Sequence, residues 1–75
     1  MKIKVETYSG YKADERPTAI FLEDKTIQVK EIKERCIRER HDGEREEVFV
    51  VLTSDGKRQT IAHNLIKEEW FLESI

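Results

Sequence analysis

Three side chains near the middle of the chain have the chemistry of a nucleophilic site. Cys36 would supply a thiolate, His41 a general base and Asp42 a carboxylate that orients the imidazole. Catalysis requires these groups within hydrogen-bonding distance of one another and beside donors for an oxyanion. The surrounding sequence is charged and has no glycine-rich elbow, so we expect Cys36 to be a small buried apolar residue and His41 a turn residue. The sequence therefore predicts that the protein is not an enzyme.

The two histidines are also candidate metal ligands. His41 and His63 are neither a helical i, i+4 pair nor part of a clear carboxylate triad. Cys36 is the only cysteine, so neither a cysteine-rich zinc site nor an intrachain disulfide is available. We predict no metal and no cofactor, and we expect His63 to lie in a strand and bond the turn around Asn64.

A second group of residues suits binding better than catalysis. Tyr8 and Tyr11 alternate with the cations Lys12 and Arg16. Aromatic rings stack on bases and cations neutralise phosphate, which would suit a single-stranded nucleic acid. The same groups could line a groove for an extended peptide. Two acidic residues in the same loop weigh against phosphate, and in a purely structural loop they would pair with the cations.

We therefore predict a noncatalytic binding or adaptor module that acts through protein contacts with an unknown partner. The alternative is a nucleic-acid-associated small β-barrel module. The predicted binding surface is a barrel rim that carries Tyr8, Tyr11, Lys12, Arg16 and Trp70.

Length and charge bound these functions. The 75 residues have a mass of 8.9 kDa and predict a single small β domain over residues 1–75. The 14 basic and 16 acidic residues leave a net charge of −2, which excludes a basic coat for nonspecific nucleic-acid binding and an acidic solvating tail. No signal sequence or apolar span is present, which predicts a cytoplasmic protein without membrane contact. At this size we expect a monomer or a weak homodimer.

Alternating polarity predicts strands at both ends of the chain. Residues 1–8 alternate with a period of two, Ser9-Gly10 breaks the pattern, and residues 11–16 form a polar connection that ends at Pro17. Residues 18–22 and 26–30 are the next predicted strands. Residues 48–52 are β-branched and aromatic and belong at the sheet centre, and residues 58–63 and 69–72 complete the set. An Asp-Gly pair in residues 54–57 predicts a hairpin with a two-residue turn.

Residues 31–40 are ambiguous. Their helix-prone composition and the spacing of Val29, Ile32 and Cys36 fit a short helix, whereas their position before the turn at residues 41–44 fits a long, bent strand. We favour the strand, because a ten-residue helix with two or three apolar contacts would be marginal. The predicted fold is a mostly-β, five- or six-stranded antiparallel meander curled into a small SH3-like barrel.

Residues 8–17, Tyr-Ser-Gly-Tyr-Lys-Ala-Asp-Glu-Arg-Pro, form a recognisable motif. The chain resembles a family of short bacterial cytoplasmic proteins of unassigned activity that carry Tyr-x-Gly-Tyr-Lys-Ala-Asp-Glu-Arg-Pro before an apolar strand. The similarity extends to Val29-Lys30-Glu31-Ile32, Ser54-Asp55-Gly56, His63 and Glu69-Trp70. This chain departs from that pattern at Cys36-Ile37, where relatives have an aromatic pair, and at Ala62, where they have an arginine. The resemblance implies a compact, mostly-β domain.

Overall fold

The computed structural model describes residues 1–9 and 15–73. The six strands are β1 (Lys2–Ser9), β2 (Glu15–Phe21), β3 (Thr26–Glu39), β4 (Arg45–Thr53), β5 (Arg58–Asn64) and β6 (Glu69–Leu72). Each strand pairs antiparallel with the next, and β6 pairs with β1 to close the barrel. The predicted small SH3-like barrel is confirmed, with six strands. The described residues contain no helix, and hence none that could cross a membrane.

The core is built from inward-facing residues of every strand. Phe49, Val51 and Ile61 have no exposed surface, and Trp70 packs on Phe49 with ring centroids 5.7 Å apart. Strand β4 lies between β3 and β5, which explains why its sequence is so apolar and confirms the predicted central position. Strand β4 therefore supplies the centre of the core.

Strand β2 begins earlier than the sequence suggested. It starts at Glu15 and runs through Pro17, so the prediction that the connection extends to Arg16 is wrong. The β1–β2 ladder shifts register next to Pro17, and Thr18 is the extra residue on β2. This bulge allows a proline within the ladder. The Thr18 hydroxyl donates to the Glu6 carbonyl at 3.1 Å. The rest of the predicted connection lies outside the described residues.

Strand β3 is a single element of 14 residues, so the favoured strand is confirmed and the helix alternative for residues 31–40 is wrong. The ladder to β4 shifts twice, which makes Lys30 and Lys33 extra residues on β3. Each extra residue reverses the alternation, so the inward positions Val29 and Ile32 lie three apart. The spacing that resembles a helix thus comes from two bulges in one strand.

Two hairpin turns share one design. Gly43 donates its N–H to the Arg40 carbonyl and Gly56 to the Thr53 carbonyl, each at 2.9 Å. Both glycines have positive φ, 87° and 84°, while Asp55 does not. The turns are therefore three-residue loops that end in a left-handed glycine, and the predicted two-residue turn at residues 54–57 is wrong although the hairpin is correctly placed.

Candidate functional site

Two of the predicted binding residues are neighbours at the end of the β1–β2 hairpin. Tyr8 on β1 is the Cα partner of Arg16 on β2, so both side chains project from the same face. Tyr8 is 64% exposed and Arg16 is also exposed. Tyr11 and Lys12 lie outside the described residues. The structure therefore brings together the first and last members of the predicted loop.

Trp70 lies in the core, apart from this pair. It is 8% exposed, and its ring stacks on His63 with centroids 4.1 Å apart and planes 3° from parallel. This pairing follows from the β5–β6 register, which places His63 opposite Trp70. As the sequence predicted, one of the two aromatic residues on β6 is core, while Phe71 on the opposite face is half-buried. The contact observed for His63 is this stack rather than a bond to the following turn.

A groove opens where β2 and β3 separate. The two strands pair only between residues 19–21 and 26–28, and beyond that point they diverge. The groove has a volume of about 450 Å³. Its walls are residues of the β1–β2 hairpin and of the first part of β3, namely Tyr8, Arg16, Pro17, Thr18, Val29, Lys30, Glu31 and Ile32. Tyr8 and Arg16 therefore form the rim of a real concavity.

Beyond Gln28, β3 has one described neighbour. Residues 29–39 pair with β4, and no described strand pairs with their other side, which we term the open edge. The last six residues of β3 are all exposed, including Ile37 at 56%. An unpaired strand edge is a template for another extended chain. The open edge and the groove are continuous, because both begin where β2 leaves β3.

The direction of the backbone groups on this edge follows from two hydrogen bonds at the hairpin end. Arg40 N–H bonds the Glu44 carbonyl, and the Arg45 carbonyl accepts from Leu65 N–H, so Arg45 points its groups towards β5. Since antiparallel pairs alternate, the Glu39–Arg45 pair does not exchange hydrogen bonds. Glu39 and, two residues earlier, Ile37 therefore direct their N–H and C=O groups outwards to the open edge.

Ion pairs fix the far end of β3 to the barrel. The Arg38 guanidinium binds Glu46 at 2.7 Å and Glu73 at 2.5 Å. Hydrogen bonds first to Glu73 and then to Glu46 raise the pKa of Arg38 above its usual value. The Glu46 side chain is 3% exposed, so a buried carboxylate holds a partly exposed guanidinium. These ion pairs connect the far end of β3 to β4 and to the residue that follows β6.

A second arginine secures the inner face of the same segment. Arg35 lies over the Phe49 ring, with its guanidinium carbon 5.3 Å from the centroid, and its Nε binds Glu47 at 2.5 Å. Arg35 is the cross-strand partner of Phe49. The segment is thus tied to the core by a cation–π contact where a strand of the closed barrel would use an aliphatic side chain.

The predicted nucleophile and base are separated. Cys36 is exposed on β3, so the expectation that it is buried is wrong, because the Cys36 side chain faces away from the barrel interior. Four residues of extended strand, roughly 13 Å, separate it from the turn that holds His41. Asp42 Oδ1 instead accepts the Glu44 N–H at 3.0 Å, which lowers the Asp42 pKa. Within residues 1–9 and 15–73, no three His, Cys, Asp or Glu side chains form a metal-binding group.

A larger hollow of about 650 Å³ lies on the other side of β2. Met1, Ile3, Phe21 and Leu22 give it an apolar lining. Strands β1 and β2 are already paired there, with Lys4 opposite Phe21. Because the backbone groups of β1 and β2 already pair with each other, this hollow can accept a side chain but does not offer an edge for another strand.

Sequence reasoning found the rim residues and missed the open edge. The available signal was the run of exposed charges in residues 31–39, which have no apolar face long enough for burial. No protein-family model matches the chain, and no match was found among curated proteins or solved structures. The family resemblance of residues 8–17 stays a prediction.

Proposed function

We propose that this protein is a noncatalytic binding module that adds an extended segment of a protein partner to the open edge of β3. The observation that carries the proposal is the outward direction of the Ile37 and Glu39 backbone groups on a strand with one described neighbour. In strand addition the main chain supplies affinity and the flanking side chains supply selectivity.

The groove would give this binding its selectivity. A chain that pairs with β3 passes from residues 34–39 into the concavity rimmed by Tyr8 and Arg16. Tyr8 offers a large, rigid and exposed contact surface that loses little conformational entropy on binding. The rim therefore suits a side chain of the bound segment, while the edge suits its backbone.

The charges on the edge also favour a protein partner over a nucleic acid. Residues 30–39 carry four basic and three acidic side chains that are interspersed along the strand, and Lys33 pairs with Glu31 at 3.2 Å. A phosphate backbone would meet the repulsive carboxylates of Glu31, Glu34 and Glu39, whereas a polypeptide of mixed charge can match both signs. Such charges also discourage indiscriminate edge pairing.

The test is selection of binding peptides from a random library of twelve-residue peptides displayed on phage. The proposal predicts that selected synthetic peptides slow amide hydrogen exchange at Ile37 and Glu39 by at least about tenfold at saturation. Selected peptides that bind without protecting these two amides would contradict it. Single-stranded oligonucleotides that bind with steep salt dependence and protect the edge would favour the nucleic-acid alternative.

A proline substitution gives the matched control. Ile37→Pro removes one outward N–H, and an edge strand tolerates proline when that N–H faces solvent. We expect Ile37→Pro to fold and to weaken the selected peptides about tenfold, while Ile37→Ala keeps the N–H and binds within about threefold of wild type. Equal affinity of both variants would show that the backbone of the edge does not bind.

A further inference from the structure

We infer that the partner at the open edge is a second copy of this chain, with the two β3 strands antiparallel about a two-fold axis at Cys36. This inference rests on the proposed function and names its partner. A two-fold axis normal to a sheet pairs residues of like face, so residue i meets residue 72 − i when the axis passes Cys36.

Charge complementarity along β3 carries the inference. In this register Glu34 faces Arg38 of the second copy, Lys33 at the second bulge lies beside Glu39, and the symmetry repeats each pair. No two like charges face each other. Moving the axis by one residue to Arg35 would place the Arg35 guanidinium of one copy against that of the other, so that register is repulsive.

Side-chain placement agrees with this register. Glu34, Cys36 and Arg38 all project from the face of β3 opposite to the barrel core, because their partners on β4 alternate with the core residues Phe49 and Val51. Arg38 keeps 44% of its side chain exposed despite its two intrachain carboxylates, so it can also reach Glu34 of the second copy.

The groove completes the fit. Beyond Glu39 the hairpin turn of the second copy, residues 41–43, would lie beside residues 29–31, at the wall of the groove. The exposed Asp42 carboxylate at that turn would enter next to Lys30 and the Arg16 rim. The same surfaces that form the proposed binding site would thus be occupied by the corresponding hairpin.

Charge reversal tests the interface without disturbing the core. Lys33→Glu and Glu39→Lys each place two like pairs across the axis, so each should raise the dimer dissociation constant about tenfold in sedimentation equilibrium. The double variant exchanges the charges and should return the constant to within about threefold of wild type. Lys57→Glu makes the same charge change in a hairpin turn away from the edge and should leave it unchanged.

Cys36 reports the register directly. Opposing residues in a non-hydrogen-bonded antiparallel pair have Cα atoms about 4.5 Å apart, within the range of a disulfide. Diamide, a mild thiol oxidant, should link two wild-type chains at least about tenfold faster than two chains of the Cys36→Ser/Ser54→Cys variant, whose thiol lies on an exposed turn away from β3.

The outcomes separate the inference from the proposed function. A chain that stays monomeric up to about 1 mM, or a dimer that the charge reversals do not weaken, overturns the second copy as partner. In either case, library peptides that protect Ile37 and Glu39 would still support strand addition. Loss of both results would remove the proposed function as well.

Discussion

The closed part of the barrel and the far half of β3 are held in place by different interactions. Around Phe49, Ile61 and Trp70, each strand has two neighbours and buries apolar side chains. Among the described strands, residues 34–39 have one neighbour, and they are held by Arg35 and Arg38 through carboxylates and an aromatic ring. Burial makes the first region stable, while ion pairs leave the second ordered and accessible. This difference is the basis of the proposal that the open edge is a surface for binding.

The largest expected difference between the regions is in side-chain truncation. Phe49→Ala should lower the free energy of unfolding by about 3–5 kcal/mol, because it removes a fully buried ring that also supports Trp70. Ile37→Ala, at a 56% exposed position, should change it by less than about 0.5 kcal/mol. Urea denaturation of both variants measures the contrast. Similar losses would mean that the far half of β3 is packed as tightly as the core.

The buried carboxylate should give the next largest effect. Glu46→Gln weakens the bond that fixes Arg38, and we expect a loss of about 2 kcal/mol, less than for a fully buried pair because the guanidinium is partly exposed. Glu39→Gln makes the same chemical change at an exposed site on β3 and should cost less than about 0.5 kcal/mol. The two variants are compared by urea denaturation at pH 7. Equal stability would show that the Arg38 network does not hold the segment.

The glycines of the two three-residue hairpin turns should give a smaller difference in stability, and at one turn a more local one. Alanine meets no atom within 4 Å at Gly43 or Gly56, so its cost is the strained positive φ, about 1 kcal/mol. At Gly56, between β4 and β5, this loss should appear in global unfolding. At Gly43 it should mainly speed amide exchange at the hairpin tip. A full global loss from Gly43→Ala would indicate that the far half of β3 unfolds together with the core.

The smallest expected effect is on the pH dependence of folding stability, and it comes from Asp55 in the turn between β4 and β5. Hydrogen bonds from the Thr53 hydroxyl and the Lys57 N–H lower the pKa of Asp55. A carboxyl with a lower pKa in the folded state stabilises the protein above its unfolded pKa of about 3.9 and loses that contribution as pH falls through the folded pKa. Asp55→Asn should therefore flatten the stability profile below pH 4 and leave its shape above pH 5 unchanged. An unaltered acid limb would exclude this contribution.

The sequence predicted the fold better than the site. Alternation and turn residues were sufficient for the strand order, because each buried strand carries its own periodicity. Bulges at Lys30 and Lys33 broke that periodicity in β3 and produced a helix-like spacing. No local signal marks such an extra residue, since it depends on the register of the neighbouring strand.

The sequence predicted two side chains of the candidate site but not the open backbone edge of β3. Tyr8 and Arg16 were identified from their chemistry, and the structure places them side by side. Trp70 was assigned to the same rim, but its side chain faces the barrel interior, where it packs on Phe49 and stacks on His63. The open edge could not be foreseen, because a missing neighbour is a property of the whole sheet and not of residues 29–39 alone.

Amide hydrogen exchange on β3, followed by NMR, tests the central claim most directly. In dilute solution the N–H groups of Ile37 and Glu39 should exchange at least about tenfold faster than those of Cys36 and Arg38, which point towards β4. Raising the protein concentration should slow exchange at Ile37 and Glu39 and leave Cys36 and Arg38 unchanged. Uniform protection of all four amides at every concentration would contradict the account, because the edge would then already be closed.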